Sequence, residues 1–144
     1  VSVPVVLDSG GLDALAGAPS GRFRALLAEA LRRDAAVAVP AVVCAEVCRG
    51  AKQTRAVEAA LGRHDRSRSE LPAVQVVPTD FGLARAVGAV MHAAAASSRD
   101  LVDAHCVAVC AAYGGGLVVT SDPDDVLRLA SAVPAVRVTV RRPG

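Results

Sequence analysis

At 144 residues, with 53% hydrophobic side chains and a formal net charge of +2, the chain is long enough to bury a real core and too apolar to be disordered. No apolar run is long enough to span a bilayer, and no charged segment leads into a secretory apolar core. A soluble cytoplasmic protein with no membrane partner is therefore expected, read as one domain over residues 1–144.

The positive charge is almost all arginine, Lys52 being the one lysine among 16 cations. Arginine suits bidentate phosphate contacts, although a GC-rich coding sequence, which the wealth of Ala, Val and Gly also suggests, accounts for it more simply. The four cysteines, Cys44, Cys48, Cys106 and Cys110, fall in two i, i+4 pairs inside apolar helical segments. Four-cysteine zinc sites take their pairs from tighter turns, so small buried core residues are the expected role.

In chain order, Val3 to Leu7 reads as a strand buried on both faces, and it ends abruptly in Asp8-Ser9-Gly10-Gly11. A short helix or turn follows from Gly10 to Ala18. Ser20 caps a helix with the stripe Phe23, Leu26, Leu27, Ala30 and Leu31. Ala36 to Val39 is a second strand, and Pro40 opens an almost wholly apolar helix that contains Glu46 and ends at Arg49-Gly50. Helix resumes from Gln53 to Leu61, before a polar break at 62–71 that carries Arg63, Arg66 and Arg68.

Val74 to Val77 is a third strand, and Thr79 is expected to cap a helix to about Ala95. Ser97 or Ser98 caps the next, with Val102, Cys106, Val109 and Tyr113 as its stripe and Gly114-Gly115-Gly116 as its stop. Leu117 to Thr120 is a strand stopped by Ser121-Asp122-Pro123. A helix with Val126, Leu127, Leu129 and Ala130 and a last strand from Val136 to Val140 precede the basic tail Arg141-Arg142. Strands alternating with helices imply a parallel, helix-covered α/β sheet.

Four acids stand out because burying an unpaired carboxylate is expensive. Asp8, Glu46 and Asp103 each interrupt an apolar segment, and Asp122 ends a strand. Pairing with arginine, or exposure at the sheet edge, explains any one of them; Arg49 and Arg99 lie about a helical turn from Glu46 and Asp103. All four together point elsewhere. In a parallel sheet, Asp8, Asp103 and Asp122 share the carboxyl edge, where open α/β folds keep their ligands. Hard oxygen donors suit Mg²⁺ or Mn²⁺, and such a cluster titrates as a unit. Asp100, one turn before Asp103, reads first as a helix-start acid and second as an extra ligand. Asp125 has the same two readings. His105, two residues past Asp103, points away from it.

These residues, in this order, resemble the PIN-domain nucleases, and in particular the VapC-type toxins of bacterial toxin–antitoxin pairs. The match runs through Val-Val-Leu-Asp8-Ser9, Pro40 to Glu46 and Arg49-Gly50, Asp103-Ala104, and Val-Thr120-Ser121-Asp122. It covers nearly the whole chain. The resemblance implies a three-layer α/β/α sandwich with a central five-stranded parallel sheet. It implies a Mg²⁺- or Mn²⁺-dependent endoribonuclease, commonly a homodimer, blocked by a small VapB-type antitoxin. Carried over, Asp8, Asp103 and Asp122 are direct or water-bridged metal ligands, and Glu46 is the fourth acid, with Ser9 and Thr120 supporting the acids. Two places depart from the family pattern: Gly10-Gly11, where larger apolar residues are usual, and Pro123-Asp124-Asp125, where an aromatic often follows the last acid.

An RNA substrate brings dense negative charge to an acidic site, so arginines must flank it; Arg49, Arg63, Arg66, Arg68 and Arg99 are the candidates, with a solvated rim as the alternative. With two phenylalanines, one tyrosine and no tryptophan, base stacking on aromatics is nearly unavailable. Other classes remain in view. A phospho-receiver regulator requires a lysine ending its last strand, and Lys52 is far from there. A catalytically silent PIN-like binding module, or a nuclease acting on structured DNA outside a toxin–antitoxin system, differs from the leading reading only in its chemistry.

Overall fold

Val5–Leu7 form β1, and all three side chains are buried, as their branched apolar run predicts. Full burial of each contributes about 1.5–3 kcal/mol. The computed structural model describes residues 3–63 and 72–144. Five strands, β1, β2 (Val37–Pro40), β3 (Val74–Val77), β4 (Gly115–Val119) and β5 (Arg137–Arg141), form one sheet in the order β3-β2-β1-β4-β5. Every pairing is parallel. Parallel neighbours need crossovers, and helices supply them: α1 (Ser9–Ala16), α2 (Gly21–Arg32), α3 (Ala41–Val47), α4 (Ala51–Arg63), α5 (Phe81–Ala93), α6 (Leu101–Ala112) and α7 (Pro123–Ser131).

The α1, α3 and α4 helices pack together, as do α5, α6 and α7. The chain moves outward from β1 through β2 to β3, then returns to the other side of β1 to lay down β4 and β5. The order therefore reverses between β1 and β4, and ligand crevices open at such reversals beyond the strands' carboxyl ends. No helix among the described residues is long and apolar enough to cross a membrane.

Of the boundaries that differ from the sequence expectation, three have a clear local reason. The α1 helix starts at once after β1, because Asp8 itself is its N-cap. The cap of α5 is Asp80, whose carboxylate accepts from the Leu83 N–H at 2.8 Å, rather than Thr79. Gly114, at φ +80°, does end the α6 segment, but Gly115 and Gly116 already belong to β4. Close packing requires glycine there: a Cβ on Gly116 would stand 2.6 Å from the Cys110 sulfur of α6. The same contact orients β4, since Gly116, Val118 and Thr120 share the α6 face by the period of two.

Candidate active site

The Leu7–Val119 register places Asp8 beside Thr120, one residue past the ends of β1 and β4. Asp8 is buried and its carboxylate is held on both oxygens. Oδ1 accepts from the Ser9 N–H at 2.7 Å, and Oδ2 accepts from the Thr120 hydroxyl at 2.8 Å. The Thr120 oxygen in turn accepts from the Asp122 N–H at 3.0 Å, so one hydroxyl links two of the acids. Ser9 makes a second link: its hydroxyl donates to the Glu46 carboxylate on the last turn of α3.

Gly10 and Gly11, which depart from the usual family pattern, make these links sterically possible. A Cβ on Gly10 would come within 2.8 Å of the Ser121 nitrogen, and one on Gly11 within 2.8 Å of the Val119 carbonyl oxygen. The first turn of α1 is thereby seated directly on the end of β4.

Asp103 projects from the first turn of α6 toward the same edge. Burial raises its pKa to about 7, followed by the charge of Asp8, a hydrogen bond with Asp8, and the charges of Asp125 and Asp122. Asp103 therefore keeps its proton into the neutral range and shares it with Asp8. Beneath the pair lies Cys106, one helical turn from Asp103, with its thiol facing Asp8 Oδ1 at 3.9 Å. Burial, then the charges of Asp8 and Asp103, push that thiol well above its ordinary pKa, so it stays protonated.

Sequence reasoning treats Cys106 as core alone; its i, i+3 spacing from Asp103 is the available signal. Arg128 has such a signal toward Asp125, three residues before it, but none toward Asp100. Its guanidinium donates to Asp100 Oδ1 at 2.7 Å and lies 3.9 Å from Asp125.

The remaining candidates separate from this group. Asp100 closes a capping box with Ser97 ahead of α6, accepting from the Ser97 N–H at 3.2 Å. The Arg128 hydrogen bond holds its carboxyl below the usual range. The structure thus shows Asp100 as a helix-start acid, one oxygen on the Arg128 guanidinium and the other on the Ser97 N–H. Asp125 is exposed and contributes charge near Asp103. Arg49, just past the end of α3, donates through Nε to the Glu46 carbonyl, 3.1 Å away, and not to the Glu46 carboxylate. Arg99 is exposed beside Asp100. Arg66, Arg68 and the Arg63 side chain lie outside the described residues. His105 turns back to the Leu101 carbonyl at 2.7 Å, away from the acids.

Among the described residues, no three His, Cys, Asp or Glu side chains are already gathered at metal-ligand spacing. The donor set nonetheless suits a hard divalent cation. All four principal groups are carboxyls, and burial first, then the charges of Asp8, Asp125 and Asp122, raises the Asp103 pKa at this edge.

A parallel α/β sheet that collects carboxyls at its switch point defines a class of acid-edged proteins. Within that class, the PIN domain family model matches residues 6–131, from β1 to the end of α7, and the chain belongs to the PIN domain family. A similar solved fold is the crystal structure of VapBC2 from Rickettsia felis bound to a DNA fragment from their promoter. It shares 16% identity at a TM-score of 0.61, over 96% of this chain and 99% of that one. No curated protein matches by sequence.

Proposed function

We propose that this protein is a Mg²⁺- or Mn²⁺-dependent endoribonuclease, the toxin of a VapBC-type toxin–antitoxin pair acting in the bacterial cytoplasm. The observation that carries the reading is the gathering of Asp103 with Asp8, Asp122 and Asp125 at the switch point, where burial together with the neighbouring acids raises the Asp103 pKa to about 7. Membership in a family whose domains are typically nucleases supports the reaction class.

In this reading Asp8, Asp103 and Asp122 hold the cation directly or through water, and Glu46 is the fourth acid. A bound divalent cation supplies countercharge to the phosphodiester and lowers the pKa of water. The chain's own groups do the rest. The Ser9 N–H and the Thr120 hydroxyl fix Asp8, so that it does not reorient as charge arrives. Asp103 gives up its proton when it becomes a ligand, which makes binding stronger above pH 7. Glu46, tethered by Ser9, is exposed and free to accept a proton from an attacking water. Asp125 tunes the local charge, and Arg128 limits it.

The VapBC2 structure, similar in fold, is a toxin–antitoxin complex by its description. We carry over from it a VapB-type antitoxin as partner, and from the family a homodimer.

The test is cleavage of a mixed RNA pool by partner-free protein in Mg²⁺, in Mn²⁺ and in EDTA, beside Asp8→Asn. Cleavage that requires metal and is lost in the variant is expected. Metal-independent cleavage, or full activity of the variant, refutes the assignment. A protein that neither cleaves nor binds metal is a silent binding module instead.

A further inference from the structure

Beside the acids, on the β5 side of the same edge, lies a cavity half of whose lining residues are arginines. It measures about 380 Å³ and is lined by Arg22, Phe23, Leu26, Arg141, Arg142 and Gly144. The three arginines come from distant parts of the chain. Arg22 lies in the first turn of α2, Arg141 ends β5, and Arg142 follows it.

The cavity is fixed in place from both sides. The Ser20 hydroxyl caps α2 by accepting from the Phe23 N–H at 3.2 Å, and it donates to the Pro143 carbonyl at 3.0 Å. This pair of hydrogen bonds on one side chain pins the basic tail to the start of α2. Phe23 is buried and gives the cavity a rigid apolar floor. None of the three arginines forms an ion pair among the described residues. All three are exposed, so their positive charge is available to an arriving anion.

Its position relative to the acids is equally definite. The Val119–Arg141 register sets Arg141 at the same carboxyl edge, and the Thr120 N–H donates to the Arg141 carbonyl at 2.9 Å. Arg142 Nη1 donates to the Ser121 carbonyl at 2.7 Å, on the residue just before Asp122. The small net charge of +2 therefore conceals a division along one edge: carboxyls at β1 and β4, guanidiniums at β5.

We propose that the Arg22–Arg141–Arg142 cavity is a phosphate subsite for the RNA backbone, holding the strand on the β5 side of the acid edge so that a neighbouring phosphodiester faces Asp122. This rests on the ribonuclease reading and adds to it the direction in which substrate leaves the acids. Planar guanidiniums suit bidentate phosphate contacts, and an apolar floor without exposed aromatics favours backbone over base recognition.

The experiment is an anisotropy titration of a short labelled single-stranded RNA across a salt series in EDTA, with metal-dependent cleavage measured in parallel. Variants are R22Q and the double R22Q/R141Q; Arg142 is left intact because it braces Ser121. Removing one arginine–phosphate pairing lowers the slope of log affinity against log salt by about 0.7. The double variant is expected to fall by about 1.4 in slope and on the order of tenfold in affinity. R141K is expected to keep the parent slope. Because R22Q alters one exposed side chain on α2, its smaller slope change of about 0.7 remains readable if the double variant folds poorly.

Parent-like slope and affinity in R22Q, with the parent both binding and cutting RNA, overturns the subsite while leaving the nuclease reading intact. A parent that neither binds nor cuts RNA overturns both. An acidic peptide bound at the cavity in place of RNA would give the first of these results.

Discussion

Replacing Asp103 with asparagine removes one carboxyl from the crowded edge while keeping a side chain able to donate to Asp8. Asp103 titrates at about 7 in the folded protein, against an ordinary value of 3.8. Each pKa unit is worth about 1.36 kcal/mol, so the shift of about three units sets a ceiling of about 4 kcal/mol. Asp103 is only half-buried, and solvent screening brings the expected effect to about 1–2 kcal/mol. A folded-state pKa above the unfolded value gives stability that is complete below pH 3.8 and lost as pH rises through 7. The metal-free parent should therefore melt lower at pH 8 than at pH 5.

Asp103→Asn should flatten that dependence and melt about 3–6 °C above the parent at pH 8, the gap shrinking to about 1–2 °C at pH 5. Thermal melts in EDTA followed by circular dichroism read this directly. A variant less stable than the parent at pH 8, or a parent indifferent to pH between 5 and 8, would refute the claim that burial and the neighbouring acids disfavour the ionised form of Asp103.

Other expectations follow from single contacts. Gly10→Ala should destabilise by about 1–3 kcal/mol, because its Cβ meets the Ser121 backbone; a urea midpoint unchanged from the parent would contradict the seating of α1 on β4. Thr120→Val keeps the shape but removes the donor to Asp8 and the acceptor for the Asp122 N–H. It should cost about 1–3 kcal/mol in urea unfolding and reduce cleavage more than it reduces RNA binding. Arg128→Ala breaks a partly exposed pair with Asp100, so only a small fall in stability is expected. The Asp100 carboxyl should then titrate higher by NMR, and an unmoved titration would show that Arg128 does not hold it.

Much of this architecture is legible in the sequence because its signals are local. Alternating apolar strands and striped helices imply a parallel sheet, and Asp8, Asp103 and Asp122 lie where such a sheet gathers strand ends and helix starts. What escapes is non-local or depends on side-chain competition. Asp100 is legible as a helix-start acid, but Arg128, 28 residues away, which takes one of its oxygens, is not. Asp80 outcompetes Thr79 because the residue next to the helix has the shorter reach to its N–H groups. Gly115 and Gly116 look like a helix stop, but the closeness of α6 to β4 demands glycine inside the strand. The arginine cavity joins the start of α2 to the end of β5, and periodicity carries no trace of it.

These carboxyls, on this account, act as one centre for a divalent cation. Calorimetric titration of Mn²⁺ into the protein at pH 7, in two buffers of different ionisation enthalpy, tests that most directly. The account predicts one saturable binding process that releases part of a proton, as Asp103 ionises, and that is abolished in Asp8→Asn. Binding without proton release, or equal binding by Asp8→Asn, would contradict it.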